Sequence, residues 1–136
     1  MAVKVKVIGL NILKKNLERG IVLHQSKVRK AVSKCGDRAV WESQLRAPKD
    51  EGMLEESIKK ELGVTAEGQV ARVMVPVNAP GAAYAIAMHE DQYQLGEKSQ
   101  AKQASAGVEV GRKYLTRGVE AGKPIFEEII KDNLVR

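Results

Sequence analysis

Between Asn11 and Arg46 the chain contains no proline, and Leu10, Leu13, Leu17, Ile21, His24, Val28, Ala31, Val32, Cys35 and Ala39 recur every three or four residues. That spacing lays the apolar side chains along one stripe of an α-helix. At 1.5 Å per residue the stretch would run about 54 Å, longer than a domain of 136 residues is wide. Such a helix must either break or protrude. Asn11 is suited to cap its start. Gly20 and Gly36 each cost about 1 kcal/mol relative to alanine inside a helix, so they are the expected break points. Pro48 ends the element by pushing Ala47 out of the helical basin.

The flanking segments give an α+β pattern. Ala2 to Ile8 alternates Val3, Val5 and Val7 with Lys4 and Lys6, the period of a half-buried strand, and Gly9 breaks it. Pro48 to Gly52 is a turn. Met53 to Leu62 opens as a short helical turn, and Val64 to Gly68 reads as a hairpin connection. Gln69 to Val77 (QVARVMVPV) is a strand, with Pro76 implying an edge or a bulge. Asn78 to Gly81 is a turn. Ala82 to His89 is apolar but too short for pattern to separate helix from strand. Gln92 to Gly111 is polar and of low complexity, and is expected to be a long mobile loop. Tyr114 to Leu134 carries a second stripe of Leu115, Val119, Ile125 or Phe126, Ile129 and Leu134. There Pro124 either starts the final helix or kinks a longer one. The expected fold is one α+β domain over residues 1–136. A long N-terminal helix and a C-terminal helix pack on a small antiparallel β-sheet, with the polar loop at 92–111.

Aromatic residues make up only 4% of the chain, so Val, Ile, Leu and Ala must supply most of the core. The lone Cys35 excludes an intramolecular disulfide and a cysteine-cluster zinc site. No apolar run approaches the roughly 20 residues that span a bilayer. The opening residues alternate rather than forming a secretory apolar run, so a reducing cytoplasm is expected where the chain is made. The net charge of +6 is uneven. Residues 1–46 carry eleven basic and three acidic side chains, and residues 47–136 carry twelve and fourteen. Three readings of this basic helix stand side by side: a solvated face, a surface that meets nucleic acid, or one that meets an acidic partner subunit.

A catalytic centre is not expected. His24 lies on the apolar stripe, where a histidine is most simply a partly buried core residue. His89-Glu90-Asp91 begins like a zinc-protease motif, but Tyr93 stands where the second histidine is required. Cys35 reads as a small buried hydrophobe, with no nearby histidine to activate it. Gly107 to Gly111 lacks the lysine and hydroxyl residue of a phosphate loop, and no serine has a nucleophile-elbow context. No metal or cofactor is expected. The basic helix offers only Trp41 for base stacking, which leaves non-specific contacts to duplex phosphates.

Three segments together resemble one family. Ala47-Pro48-Lys49-Asp50-Glu51-Gly52-Met53-Leu54-Glu55-Glu56-Ser57-Ile58 is similar to the A-P-x-D-T-G-x-L-x-x-S-I signature of the small tail-completion, or head–tail joining, proteins of long-tailed bacteriophages. Tyr84-Ala85 with Met88-His89-Glu90 is similar to the family's Y-A-x-x-v-E segment. Tyr114-Leu115-Thr116-Arg117, leading into the terminal helix, is similar to P-F-L-R-P-A. Glu51 stands in place of the usual Thr, Asp91-Gln92-Tyr93 in place of an aromatic, Gly and Thr, and Tyr114 in place of Pro-Phe. The matching positions are Pro48, Asp50, Gly52, Leu54, Ser57, Ile58, Tyr84, Glu90, Leu115 and Arg117. Their side chains suit a structural corner. Asp50 can cap the following turn, Gly52 can take a left-handed conformation, and Leu54 and Ile58 can pack down together.

The resemblance implies a non-enzymatic virion protein of the phage neck, assembled in the host cytoplasm. It implies a six- or twelvefold homo-oligomeric ring between the head connector and the tail tube. Partners would be connector, stopper, terminator or tail-tube proteins, with genomic DNA in the channel and no membrane. The expected interface is Lys14, Lys15, Arg19, Lys27, Arg29, Lys30, Lys34 and Arg38, together with the 92–111 loop, which would order on docking. The alternative is a non-specific nucleic-acid-binding module that uses the same basic helix.

Overall fold

The computed structural model describes residues 2–5, 25–50 and 52–135. Lys14, Lys15, Arg19, Gly20, His24, the proposed cap Asn11 and the strand residues after Val5 lie outside the described residues, as does Glu51. The described elements run in the order β1 (Ala2–Val5), α1 (Gln25–Arg46), α2 (Met53–Ser57), β2 (Lys59–Thr65), β3 (Gly68–Met74), α3 (Ala82–Glu90), α4 (Glu97–Ala106) and α5 (Tyr114–Val135). This is the expected α+β class, with helices flanking an antiparallel sheet.

The sheet has three strands in the order β1-β3-β2, all antiparallel. β2 and β3 form a hairpin that pairs Lys59 with Met74 at its open end and Thr65 with Gly68 at the turn. Val70, Ala71 and Val73 are buried in β3, and Val75 just beyond it. Alternation along a strand puts Ala71, Val73 and Val75 on one face, and these three join the core cluster. β3 is the central strand and ends at Met74, before Pro76. The edge or bulge implied by Pro76 is therefore not found: the proline sits past the last ladder bond, where its missing N–H costs nothing.

Helix α1 lies on that face. Gly36, an expected break point, is instead a buried position inside an unbroken helix. A Cβ there would stand 3.0 Å from the Ala71 Cβ and 3.3 Å from Lys60 Cδ. Close packing on the sheet outweighs the cost of a helical glycine. Lys60, opposite Val73, runs its stem over this point and places Nζ 2.6 Å from Ser33 Oγ and 2.6 Å from Asp37. Its apolar stem thus covers the core while its charge stays paired at the margin.

Helix α5 runs antiparallel to α1, as shown by Ser43 against Gly118, the Cys35 thiol 3.7 Å from the Phe126 carbonyl, and Lys34 bonded to Asn133. It runs through Pro124 as one 22-residue helix, so of the two readings for that proline the longer helix holds. Phe126, not Ile125, is the buried residue of the stripe, alongside Leu115 and Val119; Ile130 is buried in place of the expected Ile129, and Ile129 and Leu134 are half-buried against the core. Each fully buried aliphatic or aromatic side chain contributes about 1.5–3 kcal/mol. Tyr114 extends this core and satisfies its hydroxyl by donating to the Ala85 carbonyl at 2.9 Å.

The apolar stretch 82–89 is helical as α3. Residues 92–111, expected as one long loop, contain the ten-residue helix α4. The expectation rested on the shortage of apolar anchors. The anchors are polar instead, and they are made by residues distant in sequence.

Candidate functional site

Two surfaces carry the residues singled out by sequence. The first is the outer face of α1. At 3.6 residues per turn, Lys27, Lys30, Lys34, Arg38 and Trp41 fall on one stripe that flanks the buried Ala31, Val32, Cys35, Ala39 and Ser43. Arg29 is exposed but points well away from that stripe. Lys34 Nζ donates to Asn133 Oδ1 at 2.9 Å. Arg38 lies 4.7 Å over the Trp41 ring and pairs with Glu42 at 2.9 Å. Glu42 is itself buried and also pairs with Arg46 at 2.6 Å. One end of the stripe is thus partly neutralised from within, and its exposed charge lies chiefly on Lys30 and Lys34.

The second surface gathers the three family-like segments. The turn after α1 brings Pro48 to Gly52 into α2. Gly52 adopts φ +83°, the left-handed conformation expected of it. Asp50 does not cap the turn: α2 has Gly52 at its N-cap with no side-chain cap bond. Asp50 is 92% exposed and only approaches Lys98, at 3.8 Å. With Gly52 already supplying the turn, a carboxylate is not needed there. Leu54, Ser57 and Ile58 are buried. Ser57 Oγ donates to the Met53 carbonyl at 2.6 Å and accepts from Gly81 N–H at 2.8 Å, which ties α2 to the start of α3.

The end of α3 is tied in turn to the start of α5. Lys113 N–H donates to the His89 carbonyl at 2.8 Å, and Arg112 Nε to the Glu90 carbonyl at 2.9 Å. Lys113 Nζ pairs with Glu90 at 2.5 Å. His89 is buried, edge-on to the Tyr114 ring with centroids 5.0 Å apart, and its Nδ1 lies 2.8 Å from Glu90 Oε1. Burial lowers the His89 pKa, and the contact with Glu90 partly offsets this. The Lys113 hydrogen bond, then that of His89, holds the Glu90 carboxyl below its ordinary range. Leu115 is fully buried, and Arg117 pairs with Glu109 at 3.3 Å.

Between the 48–54 turn and residues 93–99 runs a groove of about 710 Å³. Leu54, Tyr84 and Met88 line it toward the core, and Lys49, Asp50, Glu97 and Lys98 are the exposed charges at its margins. Five of the family-like positions, Pro48, Asp50, Gly52, Leu54 and Tyr84, therefore border one groove. Glu90 at the end of α3, and Leu115 and Arg117 at the start of α5, lie outside its lining.

Sequence reasoning missed Ser99, Lys102 and Lys113. Ser99 Oγ accepts from Lys49 N–H at 2.8 Å and donates to the Lys49 carbonyl at 3.0 Å. Lys102 Nζ donates to the carbonyls of Gln44 at 2.5 Å and Ala47 at 2.7 Å and pairs with the Glu55 carboxylate. These contacts join residues far apart in the chain, from Glu55 with Lys102 to Gln44 with Lys102, and no local pattern announces them. Burial pushes the Cys35 thiol up to about 11, away from the thiolate that a reactive cysteine needs. Among the described residues no group of three His, Cys, Asp or Glu side chains could hold a metal ion. Among the same residues no helix is long and apolar enough to cross a membrane. No family model, curated protein or solved structure matches the chain.

Proposed function

We propose that this chain is a structural subunit of a bacteriophage neck, which joins the head connector to the tail tube as part of a homo-oligomeric ring. The observation that supports this reading is the meeting of three family-like segments, 47–58, 84–90 and 114–117, around one corner. Each resembles its counterpart only in part, yet the three are bonded in series through Ser57, Gly81, Ala85, His89 and Lys113. In this role the corner shapes the subunit. The α1 stripe, with Lys30 and Lys34 outermost, meets an acidic face of a neighbouring subunit or protein. The work is mechanical, its setting is the virion neck, and DNA passes through the channel of the ring.

Particles assembled without the chain test the assignment by electron microscopy. The expected result is filled heads beside complete but unattached tails, whereas joined and infectious virions overturn it. Lys30→Glu with Lys34→Glu tests the charge account. Exposed pairs contribute only about 0–1 kcal/mol, so the variant should fold normally but fail to join heads to tails. Efficient joining by this variant refutes the role given to the stripe. Tight duplex binding with a steep salt dependence would instead favour the nucleic-acid-binding alternative.

A further inference from the structure

Helix α4 is held to the molecule in an unusual way. Its sequence, Glu97 to Ala106, contains no apolar side chain larger than alanine, and Ser99 is its one buried residue. Burial therefore contributes little to keeping it in place. Its attachment is polar: the two bonds between Ser99 and the Lys49 backbone, the fork from Lys102 to Gln44, Ala47 and Glu55, and Gln103 Oε1 accepting from Val110 N–H at 2.9 Å.

The segments on either side are anchored differently. Before α4, Tyr93 donates its hydroxyl to the Met88 carbonyl at 2.6 Å, and Leu95 packs toward Gly111. After it, Val110 is buried and Gly111 N–H donates to the Arg46 carbonyl at 2.8 Å. Between each anchor and the helix stands a glycine. Gly96 is at the N-cap in extended backbone, and Gly107 is at the C-cap with φ +70°. A Cβ at either position would meet nothing within 4 Å. The helix is thus a rigid segment between two unencumbered hinges, fixed by a polar latch, and residues 96–99 form one wall of the 710 Å³ groove.

We propose that α4 is a latched strap, which opens as a unit about Gly96 and Gly107 while α1, α5 and the sheet stay folded, and so uncovers the groove lined by Met53, Leu54 and Met88. Opening breaks a handful of hydrogen bonds that water can replace and exposes little apolar surface of the helix itself. Sub-global openings of this sort draw on the least buried parts of a structure. The inference rests on the latch and hinges alone and is independent of the neck assignment.

Hydrogen exchange on the full chain, followed by mass spectrometry, tests it. Peptides covering 97–106 should exchange at least about tenfold faster than those covering 31–43 and 115–130. Lys102→Met keeps an unbranched stem, one atom shorter, and removes the bonds of Nζ. It should speed exchange of 97–106 by a further tenfold or so and leave the other two segments unchanged. Ser99→Ala should act in the same direction. Equal protection of all three segments in the unmodified chain overturns the proposal, and so does uniform acceleration throughout the chain in both variants.

Discussion

The crossing of α1 and α5 at Ser43 and Gly118 is the tightest glycine approach among the described residues, and Gly118→Ala tests it directly. A Cβ built on Gly118 would stand 2.2 Å from Ser43 Oγ and 2.6 Å from both Ser43 Cα and N. The hydroxyl could turn away, but the Cα and N belong to the backbone of α1. To reach an ordinary contact of 3.4 Å, the two helices must part by about 0.8 Å at this point. Overpacking of a core costs about 1–3 kcal/mol, and a backbone clash belongs at the upper end. Alanine gains about 1 kcal/mol of helix propensity over glycine. The net loss is then about 2 kcal/mol, or roughly 8 °C in Tm at about 4 °C per kcal/mol for a chain of this size. Urea unfolding followed by circular dichroism measures it, with the midpoint falling and the slope unchanged. Gly63→Ala is the control, since its Cβ would meet only Val70 Cγ2 at 3.8 Å, and it should stay within about 0.5 kcal/mol of the unmodified protein. If Gly118→Ala is as stable as that control, the close approach of the two helices is wrong.

Two further outcomes are expected. Burial holds the His89 imidazole below its usual value of 6.5, so the unfolded chain binds more protons than the folded one between the two values. This contribution to stability is complete above pH 6.5 and is lost as the pH falls through 6.5 toward the folded value. Unfolding midpoints taken from about pH 8 to about pH 5.5 should therefore fall more steeply in the unmodified chain than in His89→Gln, and parallel profiles would refute the burial argument. The buried Cys35 thiol, pushed up to about 11, should react with a neutral disulfide reagent only as fast as the protein unfolds. Rapid labelling under native conditions would show that α1 and α5 do not close over it.

The local parts of the fold were legible in the sequence because each rests on a repeat that one element must satisfy. The stripes of α1 and α5 depend only on spacing along a helix, and the hairpin was visible through its turn near Val64 to Gly68 and the β-branched run that follows, though not through the charged first strand, Lys59–Thr65. The misread features depend on neighbours from elsewhere in the chain. Gly36 looks like a helix breaker until Ala71 is seen to occupy the space a side chain would need. Pro76 suggests an edge until the strand is seen to end at Met74. The stretch around α4 looks unanchored because the partners of Ser99 and Lys102 lie at residues 44–55. Polar anchoring leaves no hydrophobic period, so pattern reading assigns such a segment to a loop.

The candidate site divides along the same line. The α1 stripe follows from helical spacing, so its placement on one face could be read directly, except for Arg29, which the wheel puts elsewhere. The neutralisation of that face by Glu42 also follows from spacing, since Arg38 and Arg46 stand four residues to either side of it; what spacing could not supply is the burial of that carboxylate. Pairing with it leaves Lys30 and Lys34 as the more exposed charges of the stripe. The family-like corner was legible as a set of residue types, but its motif letters hide two different kinds of position. Leu54, Ser57, Ile58 and Leu115 are buried and hold elements together, so changing them tests folding. Pro48 and Gly52 border an open groove, while Glu90 is exposed and tied to Lys113. At Pro48 and Glu90, loss of assembly without loss of stability would mark a surface that a partner reads, whereas any side chain at Gly52 strains its left-handed backbone.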